Sequence, residues 1–523
     1  MEYKEQIAIL DFGSQYTHII ARRIRDLGVF CEIHPHDTHP SVLTSKKTKG
    51  VILSGGPNSV QDTNALHTHP DLWEWNKKTN IPVLGICYGM QEITIAHGGS
   101  VTSSDCTYKE YGSTNINIKH NCPFLNNIYI SKDVTVWMSH DDHISTLPID
   151  FVELASTDKG ICAAFSHKEY PIFGVQFHPE VSHTSCGKQL LHNFVVEICH
   201  IEQLWNMETI VEPMIKSIRQ MVGNNAHVIG AVSGGVDSTV AAMIMCHAIG
   251  SRFHAVMVDN GCLRKDEEII VIKRLRGKLG IDIVCLNESD MFINALKGIT
   301  DPEEKRKIIG ASFIQVFQDY AKTLKPKPTF LLQGTLYPDV IESSGSSFNS
   351  KTIKTHHNVG GLPENMNMTL IEPLRELFKD EVRKLGVVIG IDHESLYRHP
   401  FPGPGLAIRV IGEVTKKRLD TIRHADDIAI TEIRRAGIYD NISQAFVVLL
   451  PIKSVGVMGD SRTYEDVAVL RCVTTCDFMT ADWYPMDTAL QTKISGRIIN
   501  EVNGINRVCY DISSKPPATI EWE

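Results

Sequence analysis

The chain is predicted to be an α/β protein: two successive domains with mostly parallel sheets flanked by helices, then a smaller α+β C-terminal domain. Three observations predict this. Short apolar strands alternate with helical segments through the first two hundred residues, and such alternation yields a parallel sheet covered by helices on both faces. The same alternation restarts at His227 after a polar helical stretch. From Arg398 the texture changes to Pro/Gly-rich chain and then to alternating apolar runs. The expected domains are 1–205, 206–399 and 400–523. A chain of 523 residues is long enough for each to bury its own core.

Composition narrows the function classes. Lys and Arg total 52 against 61 Asp and Glu, a net charge of −9, which argues against a nucleic-acid surface as the main business. The first residues, MEYKEQIAILDFG, enter a strand pattern at once and lack a signal peptide's charged-then-apolar layout. No uninterrupted apolar run reaches membrane-spanning length. The 13 Cys are scattered and odd in number, as in reduced cytosolic proteins, so a cytoplasmic location is expected. Cys472 and Cys476 form the closest pair, without a second pair to complete a zinc site.

In the first domain Ile7–Leu10 reads as a strand ending in Asp-Phe-Gly-Ser, and Tyr16–Leu27 as a helix with Ile19, Ile20, Ile24 and Leu27 on one face. Val51–Leu53 is a second strand, ending in Ser54-Gly55-Gly56-Pro57. Val83–Ile86 is a third, followed by Cys87-Tyr88-Gly89 and a helix over Met90–Ala96. A sharp strand-to-helix turn would push Cys87 out above the sheet, with Gly85 and Gly89 relieving the crowding. A helix start also favours the reactive thiolate. At 174–180, Gly-Val-Gln-Phe-His-Pro-Glu reads as a strand delivering His178 and, two residues on, Glu180. Continued extended geometry would put both on one side, so that the carboxylate orients the imidazole.

The stretch Glu202–Arg219, with Trp205 and Pro213, reads as a helical connector. His227–Val232 is then a buried strand, Ser233-Gly234-Gly235 a tight turn, and Val236-Asp237-Ser238-Thr239 the opening of a helix. Free amides at a helix start, hydroxyls at 233, 238 and 239, and glycines that let a ligand approach the main chain suit a phosphate. No Gly-Lys-Ser/Thr follows, so this is not a Walker A loop. Phe253–Val258 is the next strand, ending in Asp259-Asn260-Gly261, where adenosine is expected to lie. Phe330–Leu336 is a further strand with its loop. Tyr337–Ser343 then leads into a Ser/Gly/Asn-rich piece to Ser350 that reads as a mobile loop, and Lys354, His356 and His357 as a closing anion clamp. Beyond the rigid bend at 398–405, Lys416–Ala436 is helical, and Phe446–Leu450, Ser454–Met458 and Val467–Val473 suggest an antiparallel sheet. Composition makes the last residues a disordered tail by default; Ile520 and Trp522 argue that it docks.

LGICYGMQ with GVQFHPE resembles the class I glutamine amidotransferases. The resemblance implies that Cys87 attacks the glutamine amide, that His178 moves the protons, and that Glu180 fixes the ring. It implies an oxyanion hole at the backbone N–H groups of Gly56 and Tyr88. The family's usual Ser-His-Gly-Asp stands here as Ser-His-Asp-Asp, with Asp141 in place of the glycine. SGGVDS resembles the loop of the ATP pyrophosphatases. Across the full length SGGVDST, TLYPDVIES, KTHHNVGGLP, RHPFPGPGLAIRV and SKPPATIEWE stand in the order of the glutamine-hydrolysing GMP synthetases. That resemblance implies adenylation of XMP by ATP with release of pyrophosphate, then displacement of AMP by ammonia to give GMP. It implies XMP contacts at Arg264, Gln444, Lys515, Ile520 and Glu521 and a homodimer through the C-terminal domain. Mg²⁺ is expected with ATP, with Asp237 helping to hold it, and no tightly bound cofactor. NAD and asparagine synthetases share SGG-type loops but not this triad and tail. A non-catalytic sensor would not need Cys87, His178 and Glu180 together with the loop.

Overall fold

The computed structural model describes residues 5–103, 109–128, 134–343, 368–458, 461–475, 478 and 480–523. The expected anion clamp at 351–363 and Cys476 lie outside the described residues. Two compact units are present, Met1–Pro213 with Tyr337–Val359, and Met214–Leu336 with Gly360–Glu523.

The first unit begins with β1 (Gln6–Asp11), α1 (Thr17–Asp26), β2 (Cys31–Pro35), α2 (Pro40–Ser45), β3 (Thr48–Leu53), α3 (Leu72–Thr79), β4 (Val83–Ile86) and α4 (Tyr88–Ala96). Then come β5 (Ser100–Ser103), β6 (Glu110–Ile118), β7 (Val134–His140), β8 (Asp142–Thr146), β9 (Phe151–Thr157), β10 (Cys162–His167), β11 (Ile172–Val175) and α5 (Gly187–His192). The main sheet runs β2-β1-β3-β4-β11-β10-β9-β6-β7. From β2 to β11 the pairings are parallel, and from β11 to β7 antiparallel. Chemistry of connection explains the split, because parallel neighbours need a crossover while antiparallel ones need only a turn. Helices separate the strands up to Ala96, and none separates β9 from β10 or β11. Leu10, Leu53 and Val83 pack with Met90 and Ile93 of α4 in the core, which seats that helix over the carboxyl end of β4.

The connector is less polar than its composition suggests. Trp205 is buried, 4.8 Å from the Phe30 ring and 4.6 Å from the Arg25 guanidinium. Helix α6 (Met207–Val222) follows, with Pro213 inside it.

The second unit continues through β12 (Val228–Ala231), α7 (Val236–Ile249), β13 (Phe253–Asp259), α8 (Glu267–Gly277), β14 (Ile283–Asn287), α9 (Ser289–Ala295), α10 (Pro302–Thr323) and β15 (Phe330–Leu332). Helix α11 (Tyr337–Ser343) belongs to the first unit, where the Ile33 N–H donates to the Tyr337 hydroxyl at 2.6 Å. The chain returns with β16 (Thr369–Ile371), α12 (Lys379–Val388), α13 (His393–Leu396), α14 (Lys416–Arg435), β17 (Gln444–Met458), β18 (Ser461–Thr474), β19 (Asp482–Trp483), α15 (Thr488–Glu501) and β20 (Ile505–Asp511). Strands β14-β13-β12-β15-β16 form an all-parallel sheet. The two apolar runs at 446–450 and 454–458 are one strand, β17, with a register shift between Leu450 and Lys453. It pairs antiparallel with β18, but β20 joins β18 parallel, so the sheet is mixed and not antiparallel throughout. The crossover helix α15 makes that parallel pairing possible.

Candidate functional site

Cys87 stands between β4 and α4 with φ 52° and ψ −105°. A non-glycine residue there is strained by about 1–3 kcal/mol and persists only where the surroundings dictate it. They do: the Cys87 N–H donates to Val175 O at 2.8 Å and the Gly89 N–H to Ser54 O at 3.0 Å. A Cβ on Gly85 would lie 2.4 Å from Gly89 O, and one on Gly89 2.4 Å from Leu53 O, so the elbow closes only with glycine at both places. The thiol is 6 % exposed. Gln176 Nε2 lies 3.7 Å from its sulfur and Ser139 O 3.8 Å.

β11 lies beside β4 in parallel, with Val175 opposite Ile86, which brings the chain after Val175 to the thiol. The strand expected to carry His178 and Glu180 stops at Val175; Pro179 and Glu180 form a turn. The pair meets all the same, with His178 Nδ1 and Glu180 Oε1 2.7 Å apart and both side chains buried. Pro179 cannot continue a ladder, so the turn, not strand alternation, swings the carboxylate onto the ring. The His178 N–H donates to Trp137 O at 3.0 Å, and Thr184 Oγ1 donates to His178 O at 2.6 Å. Burial by itself lowers the His178 pKa, but the Glu180 charge and hydrogen bonds to Cys87 and Glu180 carry it well above the ordinary value. The Glu180 carboxylate thus favours the protonated ring beside the sulfur.

The 54–57 loop closes over this group. A Cβ on Gly55 would lie 3.3 Å from His178 Cε1, and one on Gly56 3.1 Å from the Tyr88 ring and 3.0 Å from Phe12 O. Gly56 and Tyr88 are thus adjacent at the nucleophile. Asp141 is exposed, accepting from Tyr111 Oη at 2.7 Å and pairing with Lys109 at 2.9 Å. Those two partners, in that order, lower its pKa, and its carboxylate is turned to the surface.

In the second unit β12 runs into 232–235 and α7. Gly234 has φ 76°, and a Cβ there would meet Val271 at 2.6 Å. Gly235 is the N-cap residue of α7. Ser233 Oγ and Ser238 Oγ are 3.1 Å apart, and Ser238 Oγ donates to Gly235 O at 3.2 Å. Val236 and Thr239 are buried, whereas Ser233 is exposed and Asp237 half-buried on the first helical turn. Arg274 Nη2 donates to Gly234 O at 2.9 Å, holding the outer side of the loop. At the carboxyl end of β13 an open cavity of about 430 Å³ is lined by Asp259, Gly261, Arg264, Lys265, Ser289 and Lys416.

Arg264 pairs with Asp426 at 3.2 Å and lies 4.9 Å from the Phe401 ring. Arg409, fully buried, lies 5.2 Å from the same ring and binds Glu521 through Nε at 3.1 Å and Nη2 at 2.8 Å. Gln444 Nε2 donates to Glu521 at 2.7 Å. Ile520 is buried with Phe446, Val448, Val473 and Ala481. Lys515 exchanges backbone hydrogen bonds with Ala481, and its Nζ donates to Phe478 O at 2.7 Å. The tail is docked, and four of the five expected contact residues lie on or against it. Sequence reasoning missed its anchors: Arg409, Arg471, whose Nη2 donates to Thr519 O at 3.2 Å, and Lys305, 2.5 Å from Glu523. Two glutamates among apolar tail residues were the available signal, since acids buried there need buried cations.

A strained cysteine at the carboxyl end of a parallel strand, backed by a buried His–Glu pair, defines the glutamine amidotransferase class. Residues 8–198 match the family described as Glutamine amidotransferase class-I, and residues 431–522 match the GMP synthase C terminal domain. Over 524 aligned residues the chain is 54 % identical to a GMP synthase (glutamine-hydrolyzing) of Eremothecium gossypii, covering 99 % of this chain and 98 % of that one. Proteins of the same description from Kluyveromyces lactis and Saccharomyces cerevisiae are 53 % and 52 % identical, each over 99 % of this chain and 98 % of theirs. The chain belongs to the glutamine-hydrolysing GMP synthase family.

Proposed function

We propose that the chain converts XMP to GMP, using ATP and ammonia drawn from glutamine. Cys87 attacks the side-chain amide of glutamine to give a γ-glutamyl thioester. His178, held protonated and oriented by Glu180, delivers a proton to the departing ammonia and then takes one from the attacking water. The amides of Gly56 and Tyr88 stabilise the oxyanion. In the second unit the loop Ser233–Thr239 cradles the ATP phosphates. The 2-oxygen of the xanthine ring attacks the α-phosphorus, pyrophosphate leaves, and ammonia displaces AMP. Adenylation is needed because an amide-like oxygen is a poor leaving group. Arg264, Gln444, Lys515, Ile520 and Glu521 form the XMP site, and this accounts for a tail fastened down to its last residue.

Asp237 fits a hard cation: a carboxylate on the first turn of α7, beside amides suited to phosphate. Mg²⁺ held there would neutralise charge on the phosphates. The working division is 1–205 for glutamine hydrolysis, 206–399 for ATP and 400–523 for XMP and pairing. A homodimer is supported by exposed Ile452, Val455, Val457 and Tyr464 on β17 and β18. All cysteines among the described residues are free, which supports a reducing, cytoplasmic setting, and no described helix is long and apolar enough to cross a membrane.

The observation that carries this reading is the buried Cys87–His178–Glu180 group in one chain with the SGGVDST loop. The test is pyrophosphate release from ATP with ammonium supplied, with and without XMP. Release that requires XMP, with a product at the mass of GMP, supports it. Release driven by another acceptor with XMP inert overturns the substrate, and no release with any acceptor overturns the reaction.

A further inference from the structure

The first unit carries a repeat that neither reaction uses. Thr38-His39-Pro40-Ser41 opens α2, with His39 as its N-cap, and Thr68-His69-Pro70-Asp71 leads up to α3. The two loops meet edge-on, with the imidazole centroids 4.6 Å apart. His39 Nε2 lies 3.7 Å from Asp71 Oδ2, and His69 Nδ1 lies 3.9 Å from the same oxygen. Asp71 occupies the N-cap position of α3, where a carboxylate ordinarily accepts from the helix, yet it makes no such cap bond. Its acceptor is turned instead toward the two rings. One donor atom from each of the three residues lies within 4.8 Å of the others.

We propose that His39, His69 and Asp71 form a surface site for one divalent transition-metal ion of the class that prefers imidazole, such as Zn²⁺ or Ni²⁺. Metal–ligand bonds of about 2.0–2.2 Å in a tetrahedral site separate neighbouring donors by about 3.3–3.5 Å. The two ring-to-carboxylate separations of 3.7 and 3.9 Å therefore need to contract by only a few tenths of an ångström, and the two ring nitrogens start within 4.8 Å of each other. Two imidazoles and a carboxylate leave room for water, and that donor set selects zinc, nickel or copper over Mg²⁺ and Ca²⁺. The supports are rigid. Prolines follow both histidines, and Trp75 Nε1 of α3 donates to Thr44 Oγ1 of α2 at 3.0 Å. The Thr68 N–H and hydroxyl both donate to buried Glu92, at 2.8 and 3.0 Å. His39 Nδ1 lies 2.7 Å from Ser41 Oγ. With the ion bound, Nδ1 keeps its proton and donates to that hydroxyl, leaving the Nε2 lone pair for the metal. The N–H bond from Ser41 to Nδ1 and that from Asp71 to His69 Nδ1 are then given up.

The test is equilibrium binding of Ni²⁺ alone to the full chain, before and after thiol alkylation with iodoacetamide. One equivalent per chain, unchanged by alkylation, is expected. His39→Ser and Asp71→Asn both retain residues that cap helices well, so these variants remove ligands without removing the helix starts. His39→Ser and His69→Gln are expected to weaken binding roughly tenfold or more, with thermal melts of the metal-free proteins close to that of the parent. Asp71→Asn weakens it less. Equal binding by parent and histidine variants, binding abolished by alkylation, or no saturable binding by the parent each overturn the proposal. A His39→Ser protein that melts early is set aside in favour of His69→Gln, which is not an N-cap.

Discussion

The glutaminase group and the phosphate loop are both strand–turn–helix junctions, yet they are built from different materials. At Cys87 the groups that matter are side chains, buried and mutually hydrogen-bonded. At Ser233–Thr239 they are main-chain amides and small hydroxyls around an exposed Ser233. A nucleophile must hold its charge before substrate arrives, which requires a dry, prearranged partner. A phosphate brings its own charge and asks only for unobstructed donors. The comparison teaches that the first site fails through chemistry and the second through space.

Cys87→Ala is the largest break. Glutamine-dependent synthesis should fall by about 10⁴-fold or more, because no other group can form the thioester. Ammonia-dependent synthesis should persist, as measured by GMP formed from ammonium. Loss of both would mean that the sites are not separable.

Glu180→Gln sharpens the same side, with an expected fall of about 10²–10⁴-fold in glutamine hydrolysis. It also changes a pH dependence. The His178 pKa is raised in the folded chain above 6.5, with the Glu180 charge the leading cause that offsets burial. A raised pKa contributes stability that is fully present below 6.5 and is lost as pH rises through the folded value. The stability gap between parent and variant should therefore be widest at mildly acid pH and narrow toward alkaline pH, as read by denaturant unfolding. A gap independent of pH would show that the pair is not ionised as inferred.

Legibility in the sequence followed the same division. Cys87, Gly85 and Gly89 were readable because a nucleophile elbow imposes local steric rules that only certain residues satisfy. Glu180 was readable for its chemistry, while the assumed reason for its placement failed: Pro179 makes a turn where strand alternation was expected. The SGG loop was readable as strand, turn and helix because its small residues mark a tight turn between apolar runs, and Gly235 caps the helix. The parallel pairing of β20 with β18 and the docking of α11 in the first unit depend on distant partners, and no local pattern announces them. Arg409 and Lys305 are likewise defined only by the tail carboxylates they meet.

Removing residues 515–523 tests whether the tail belongs to the side-chain-built kind of site. It would strip the carboxylates from buried Arg409 and Lys305, and leaving buried charges unpaired costs about 3–5 kcal/mol. Glu521→Gln is the milder form, since the amide still accepts from Arg409. The XMP requirement should rise by roughly 10- to 100-fold for the variant at about 1.4 kcal/mol per tenfold, with glutamine hydrolysis intact. An unchanged XMP dependence in both proteins would remove the tail from the site.

The smallest expected effect is the most discriminating. Gly234 and Gly235 are neighbours with opposite constraints. A methyl group on Gly234 meets Val271 at 2.6 Å with φ at 76°, so Gly234→Ala damages the fold and says little about ATP. Gly235 has φ −71°, and a methyl there meets only Ser233 Oγ at 3.4 Å. Gly235→Ala should shift stability by no more than about 1 kcal/mol, because the restriction of the unfolded chain is set against alanine's poorer fit at an N-cap. A rise of a few-fold in the ATP requirement, with the melt unmoved, would mean that a ligand approaches the main chain at this glycine. If neither changes, the phosphates do not come this close, and the loop holds them through its hydroxyls and a cation at Asp237.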